Sequence, residues 1–273
     1  MNKPVVLITG ASSGIGANTA LTLGKKGYRV VLAARRKDRL DGIVDQIRGG
    51  GGEAISVQLD MSRLEQIKNI VTMIWQEYGA VNILVNCAGS ARHLWLDEQS
   101  LESDIQMQIQ VNLIGMIQLT RAVLPDMLAA GAGQIIHVSS IASWIGIPTY
   151  SIYNANKFGS RGFFEGLRRE LRGTGVIISE VFPGAVDTEF AQDPDLAWKT
   201  TIVTPQFALL STQAVADKIF QMIQKKKTRS VIPGIMWPAI WANAFFPGFV
   251  SWILSKYFYT KNGKRYSWRE SRD

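Results

Sequence analysis

The chain has 273 residues, enough for one large α/β domain, and its 47% apolar and 19% charged residues describe an ordinary globular core and exclude a repetitive or disordered chain. A single cysteine, Cys87, excludes an intrachain disulfide, and Met1 to Gly10 lack the basic and long apolar regions of a secretory leader, so a cytoplasmic protein is expected. The formal charge of +8 is concentrated: residues 1–220 hold 20 basic and 20 acidic side chains, and residues 221–273 hold 10 and 2.

Short apolar runs alternate with longer helical patterns. Strands are expected at Val5 to Thr9, Val30 to Ala33, Ile55 to Val57, Ile83 to Val85, Ile135 to Val138 and Val176 to Val181. The segments between them, Ile15 to Lys26, Lys37 to Arg48, Arg63 to Tyr78, Leu101 to Leu128 and Ile152 to Arg172, are long enough for crossover helices. The fourth is expected to end at or near Pro125, because proline cannot donate the helical hydrogen bond. Strands that are apolar along their whole length suit a parallel sheet covered on both faces, which gives a single doubly wound, Rossmann-type domain over residues 1–232. An apolar and basic extension, 233–273, follows it.

Thr9-Gly10-Ala11-Ser12-Ser13-Gly14-Ile15-Gly16 follows the first strand and opens the first helix. Gly10 permits the tight turn, Gly14 lets backbone approach a pyrophosphate, and Gly16 lets the helix lie close to the sheet, with its N-terminus facing phosphates. A dinucleotide site selective for NAD places an acid at the end of the second strand, where this chain has Arg35 and Arg36. A guanidinium grips a 2′-phosphate that an acid would repel, so NADP(H) is the expected cofactor. The competing reading makes the two arginines the start of a solvated helix.

Tyr153 and Lys157, four apart on a helical segment, share a face and can reach one ligand. They follow the strand Ile135 to Val138 and the pair Ser139 and Ser140 at its carboxyl end, where the nicotinamide belongs. A nearby ammonium favours the phenolate of a tyrosine, which lets Lys157 tune Tyr153 as an acid and base.

With these features the sequence closely resembles the short-chain dehydrogenase/reductase family over residues 3 to 232. The resemblance is carried by the glycine turn, Asn86-Cys87-Ala88-Gly89, Asn112, Ser140 thirteen residues before Tyr153, the Tyr153/Lys157 pair, and Pro183-Gly184 with Thr188. It implies Tyr153 as proton donor or acceptor, Ser140 as partner of the substrate oxygen, Lys157 as ribose anchor, and Asn112 as holder of a relay water. It implies Asp60 at the adenine ring and Thr188 at the carboxamide. Gly10, Ser12, Ser13, Gly14, Ile15, Gly16, Asn86, Ala88, Gly89, Pro183, Gly184 and Val186 complete the cofactor set with Arg35 and Arg36. Cys87 stands where the family commonly has asparagine, and a lone cysteine beside an apolar strand is expected to be a packed thiol. His93 is expected in a substrate loop and His137 in the structure of its strand. Neither histidine has metal-site spacing.

Segments 90–98, 143–150 and 185–201 are expected to frame an apolar substrate cavity through Leu94, Trp95, Trp144, Ile145, Ile147, Phe190, Leu196 and Trp198. Val231 to Ser255 contains no charged residue, is broken by Pro233, Pro238 and Pro247, and carries Trp237, Trp241, Phe245, Phe249 and Trp252 near helical spacing. Lys225, Lys226, Lys227 and Arg229 precede it; Lys256, Lys261, Lys264 and Arg265 follow. Residues 225–265 are therefore expected to meet an anionic membrane surface from the cytoplasmic side; a lid, a subunit interface in a homo-oligomer and a true span are the alternatives. Nucleic acid fits poorly, since the aromatics are not interleaved with the basic residues. The expected function is NADP(H)-dependent hydride transfer on a lipophilic ketone or secondary alcohol. The alternative is a catalytically silent scaffold or redox sensor.

Overall fold

The computed structural model describes residues 3–189 and 209–257, with side chains as far as residue 254. Phe190, Leu196, Trp198, Lys256, Lys261, Lys264 and Arg265, all invoked above, therefore lie outside the described residues or side chains.

Seven parallel strands form one sheet: β1 (Val5–Thr9), β2 (Arg29–Ala34), β3 (Glu53–Gln58), β4 (Ile83–Asn86), β5 (Gly133–Val138), β6 (Val176–Pro183) and β7 (Arg229–Ile232), in the order β3-β2-β1-β4-β5-β6-β7. Successive side chains of a strand enter opposite layers. Val6, Ile8, Val30 and Leu32 pack beneath helices α1 (Gly14–Lys25) and α2 (Lys37–Gly49). Leu7, Val31, Leu84 and Ile135 pack on the other face beneath α3 (Leu64–Tyr78), α4 (Met116–Ala129) and α5 (Ser151–Glu170). Chain order reverses between β1 and β4, so their carboxyl ends open the crevice in which such sheets bind ligands.

The six expected strands are present. The sequence reading missed β7 and the helix before it, α6 (Thr212–Lys225), which lays Val215, Ile219 and Met222 on the α1 side. Pro125 does not end its helix, which runs to Ala129. Pro125 and Arg121 are exposed, so the carbonyl deprived of its donor faces water, while Val123 and Met127 anchor the turn in the core. Upstream of α4 the same helical path contains two wide turns of π-helix, Leu101–Gln106 and Gln110–Gly115. Such turns cluster at functional sites.

The chain after β7 folds back onto the domain. Helices α7 (Trp237–Phe245) and α8 (Pro247–Tyr257), with the turn before them, pack Met236, Ala239, Ile240, Val250 and Leu254 against Phe182, Val231, Ile141 and Ile145. The Trp144 ring meets Phe182 at 5.5 Å and Trp237 at 6.2 Å, and its carbonyl accepts a hydrogen bond from Asn243 Nδ2 at 3.0 Å. Trp144 and Ile145 are thus seats for the tail, not walls of a substrate cavity. Among the described residues no helix is long and apolar enough to cross a membrane.

Helix α5 carries Tyr153, Lys157, Ser160 and Phe164 on one stripe. Phe164 is fully buried and stacks on His137 of β5 at 4.8 Å, while His137 Nε2 lies 3.1 Å from Ser160 Oγ. This fixes the register of the helix against the sheet and gives His137 the structural role expected of it. Phe164→Ala is expected to cost about 3 to 5 kcal/mol in urea unfolding, because the cavity left behind adds to the lost burial.

Candidate active site

The first turn is shaped by close backbone approach. Gly10 has φ +66°, and a Cβ there would lie 2.8 Å from Ala88 Cα, so β1 and the loop after β4 meet without a side chain between them. Thr9 Oγ1 locks the contact by accepting from the N–H groups of Cys87 and Ala88, both at 3.1 Å. A Cβ on Gly16 would sit 2.3 Å from the Gly10 carbonyl. Helix α1 begins at Gly14 with no side-chain cap and no acid in its first turn, which leaves its N–H groups and the positive end of its dipole to an anionic ligand. The Arg36 guanidinium reaches across this turn, donating to Ser13 Oγ at 2.8 Å and Ser12 Oγ at 3.2 Å, and pairs with Glu189 at 3.1 Å. Arg39 holds the other oxygen of Glu189 at 2.7 Å, a partnership the sequence did not reveal. These features fit a dinucleotide, with pyrophosphate at the turn.

At the end of β5, Ser140 Oγ accepts from Ala142 N–H at 3.1 Å and shares a hydrogen bond with Tyr153. Lys157 is buried and donates to the Val138 carbonyl at 3.0 Å, its ammonium 5.5 Å from the Tyr153 ring centre. Burial pushes Lys157 down to about 8. Burial also holds the Tyr153 hydroxyl well above the ordinary tyrosine value, and the Ser140 hydrogen bond opposes this only in part. The lowering of Tyr153 expected from Lys157 is not among the influences on the phenol in the chain alone, where burial dominates and Ser140 is the group that opposes it. Tyr153 is a neutral acid at pH 7, poised to give a proton. Cys87 is half-buried on the cavity wall and not fully packed away as expected, and its apolar surroundings push the thiol up to about 12, which keeps it protonated and a poor nucleophile at neutral pH.

One cavity of about 810 Å³ joins the turn to this group. Of the expected catalytic and cofactor residues, all but Asn86 and Asn112 line it. Asn86 is buried behind the wall with Nδ2 on Thr120 Oγ1 at 3.1 Å. Asn112 engages both ends of its amide with the main chain of Ser90, at 2.6 and 2.7 Å, and so pins the loop after β4 with its side chain. Gln108, four residues earlier, accepts from Arg92 N–H at 3.3 Å and was missed, although the i, i+4 spacing was visible. Ser139, expected to make strand-end hydrogen bonds, gives its N–H to Val181, but its buried hydroxyl lines the cavity with no protein partner among the described residues. Asp60 is held below the usual carboxylate value: partial burial works against this, and hydrogen bonds from the Ser62 N–H and hydroxyl prevail.

Beyond Tyr153 the wall is formed by His93, Met107, Val111, Ile147, Tyr150, Pro233, Met236 and Leu254. His93 bonds Thr149 Oγ1 and packs its ring 4.1 Å from Tyr150, which lies 5.5 Å from Tyr153. Of the aromatic and aliphatic residues expected here, Ile147 is placed on the wall; Leu94, Trp95, Trp144 and Ile145 are not.

Residues 4–197 match the family model described as short chain dehydrogenase. The chain is 34% identical over 199 residues to a 3-oxoacyl-[acyl-carrier-protein] reductase of Thermotoga maritima, covering 72% of this chain and 80% of that one. It superposes with a TM-score of 0.72 on a metagenomic short-chain oxidoreductase in complex with NADP, at 30% identity over 85% of this chain and 96% of that one. A short chain dehydrogenase/reductase from Burkholderia phymatum, in complex with NAD, gives 0.80 at 26% identity, covering 91% and 95%.

Lys157 supplies a test of the electrostatics. Its ammonium is disfavoured in the folded state and not in the unfolded one, so below pH about 8 it lowers stability, and that cost fades as pH rises toward 10.5. Lys157→Met is expected to raise unfolding stability at pH 7 by about 1 to 3 kcal/mol, with the gain shrinking above pH 8 in urea titrations at several pH values.

Proposed function

The chain belongs to the short-chain dehydrogenase family of oxidoreductases, and on that premise we propose that it is an NADP(H)-dependent reductase of lipophilic ketones, able to run in reverse on secondary alcohols. The observation that carries this reading is that Ser140, Tyr153 and Lys157 open onto the same cavity as the glycine turn, between a polar cofactor end and an apolar outer wall.

Nicotinamide, when bound, supplies or takes up the hydride. The chain's own groups manage the proton and the charge. Ser140 has one lone pair occupied by Ala142 N–H and its hydroxyl bonded to Tyr153, so a carbonyl oxygen brought between the two would take over the Ser140 O–H as its hydrogen-bond donor. As negative charge develops on that oxygen, Tyr153 gives it the phenolic proton. The phenolate left behind is stabilised by the Lys157 ammonium, which Val138 orients. A phenol kept protonated by burial suits the reducing direction at neutral pH.

Preference for NADP(H) is supported by Arg36 lying across Ser12 and Ser13, with no acid at the end of β2. Solved relatives bind either cofactor, so the preference rests on this chain's own residues. The lipophilic substrate is supported by Met107, Val111, Ile147, Met236 and Leu254 on the wall, and a ketoacyl reductase among the relatives is consistent with it. An intact acid and base set argues against a silent scaffold.

Tyr153→Phe is expected to lower NADPH-driven carbonyl reduction by about 10²- to 10⁴-fold while fluorescence titration finds NADPH affinity unchanged. Unchanged turnover would remove the tyrosine from the chemistry and leave the scaffold reading. Arg36→Ala is expected to raise KM for NADPH about tenfold with little change for NADH; equal effects on both would deny Arg36 its phosphate.

A further inference from the structure

Helices α7 and α8 have two apolar faces, and the domain covers one of them. Met236, Ile240, Val250 and Leu254 face the protein. Ile235, Trp241, Phe245, Phe246, Phe249 and Trp252 face outward at 79, 58, 65, 67, 58 and 54% exposure. Trp241 stacks on Phe245 at 5.7 Å and Phe249 on Trp252 at 6.0 Å, so the outer side chains form ridges of rings along the two helices. No charged residue occurs between Val231 and Ser255 to break this surface. Soluble monomers rarely leave a contiguous apolar patch of this kind uncovered.

We propose that this outer face docks in the interfacial layer of an anionic lipid bilayer. Four observations select lipid as the occupant. The rings are tryptophan and phenylalanine, which favour the headgroup and upper acyl depth. The helices, of 9 and 11 residues, are too short to span a hydrocarbon core, which needs about 20, and suit lying in the plane of the surface. The sequence that continues from α8, residues 256–273, holds six basic and two acidic residues, so the apolar stretch is followed in sequence by an excess of positive charge. A second copy of the chain seated here would pair two stretches that each carry this positive excess in the adjoining sequence, which offers the second copy no opposite charge. Lys225, Lys226 and Lys227 precede β7, at the amino end of the sheet. The same two helices, with the turn before them, also give Met236 and Leu254 to the cavity wall, so the docked face and the cavity share a partition. Docking does not depend on the reading of the cavity, since vesicle binding needs no turnover.

The test is sedimentation of the full chain with phosphatidylcholine vesicles, with and without phosphatidylglycerol, at low and high salt. The unaltered chain is expected to bind the phosphatidylglycerol vesicles, to bind phosphatidylcholine alone more weakly, and to be released in part by salt. Combined Trp241→Ser, Phe245→Ser and Phe249→Ser should reduce vesicle partitioning about tenfold or more while NADPH binding is kept. Should that variant misfold, Phe246→Ser alone, together with quenching of tryptophan fluorescence by brominated phosphatidylglycerol in the unaltered chain, decides the matter. Equal partitioning of parent and variant, or no binding by the parent, overturns the proposal. A dimer seen by size exclusion that the variant dissolves, with no vesicle binding, would assign the face to a second copy instead.

Discussion

An ammonium and a phenol four residues apart on α5 are held together at the carboxyl end of β5, Lys157 buried and Tyr153 half-buried on the cavity wall, and much of the domain serves to keep them there. Removing two polar groups from solvent is costly unless each finds a partner. The Val138 carbonyl receives Lys157, and Ser140 receives Tyr153. Phe164 and Ser160, further along the same stripe of α5, hold the helix against His137 and so fix where both groups meet the end of β5. The result is a lysine with a weakened hold on its proton beside a tyrosine with a strengthened one. Both shifts have loss of water as their largest cause, and together they suit the proposed release of a proton into the cavity.

The cofactor end solves a different problem with backbone. Glycines at 10 and 16 bring β1, α1 and the loop after β4 into contact, and the free first turn of α1 offers donors that no side chain competes for. Arg36 stands at the rim, already engaged with Ser12, Ser13 and Glu189. A phosphate there would take over hydrogen bonds that the chain now makes to itself. The outer end is completed by the tail: Met236 and Leu254 close the wall, while Trp144 and Phe182 hold the helices in place.

Most of the fold was legible because buried parallel strands are apolar throughout, and six of seven could be read from that alone. β7 escaped because it has four residues, begins with Arg229 and lies at the sheet edge, where neither length nor pattern separates it from a loop. The glycine turn, Ser140, Tyr153 and Lys157 were legible because each role requires a particular residue type at fixed spacing. The cavity wall was harder. Trp144 and Ile145 follow β5 just as Ile147 does, yet they face the tail, because sequence adjacency to a strand end does not say which way a loop presents its side chains. Asn86 and Asn112 sit behind the wall for a related reason: an amide suited to a ligand is equally suited to other protein groups, and the Thr120 hydroxyl and the Ser90 main chain are nearer.

The account turns on water being kept from the Tyr153 hydroxyl. The direct measurement is a pH titration of the protein with its tyrosines labelled with carbon-13 at the hydroxyl-bearing ring carbon, with Tyr153 identified by the resonance missing from the Tyr153→Phe spectrum. In the cofactor-free chain that resonance should stay in its protonated position through and beyond the ordinary tyrosine range. Ionisation at or below the ordinary value would show that solvent or Lys157 controls the phenol, and would contradict the role assigned here to burial.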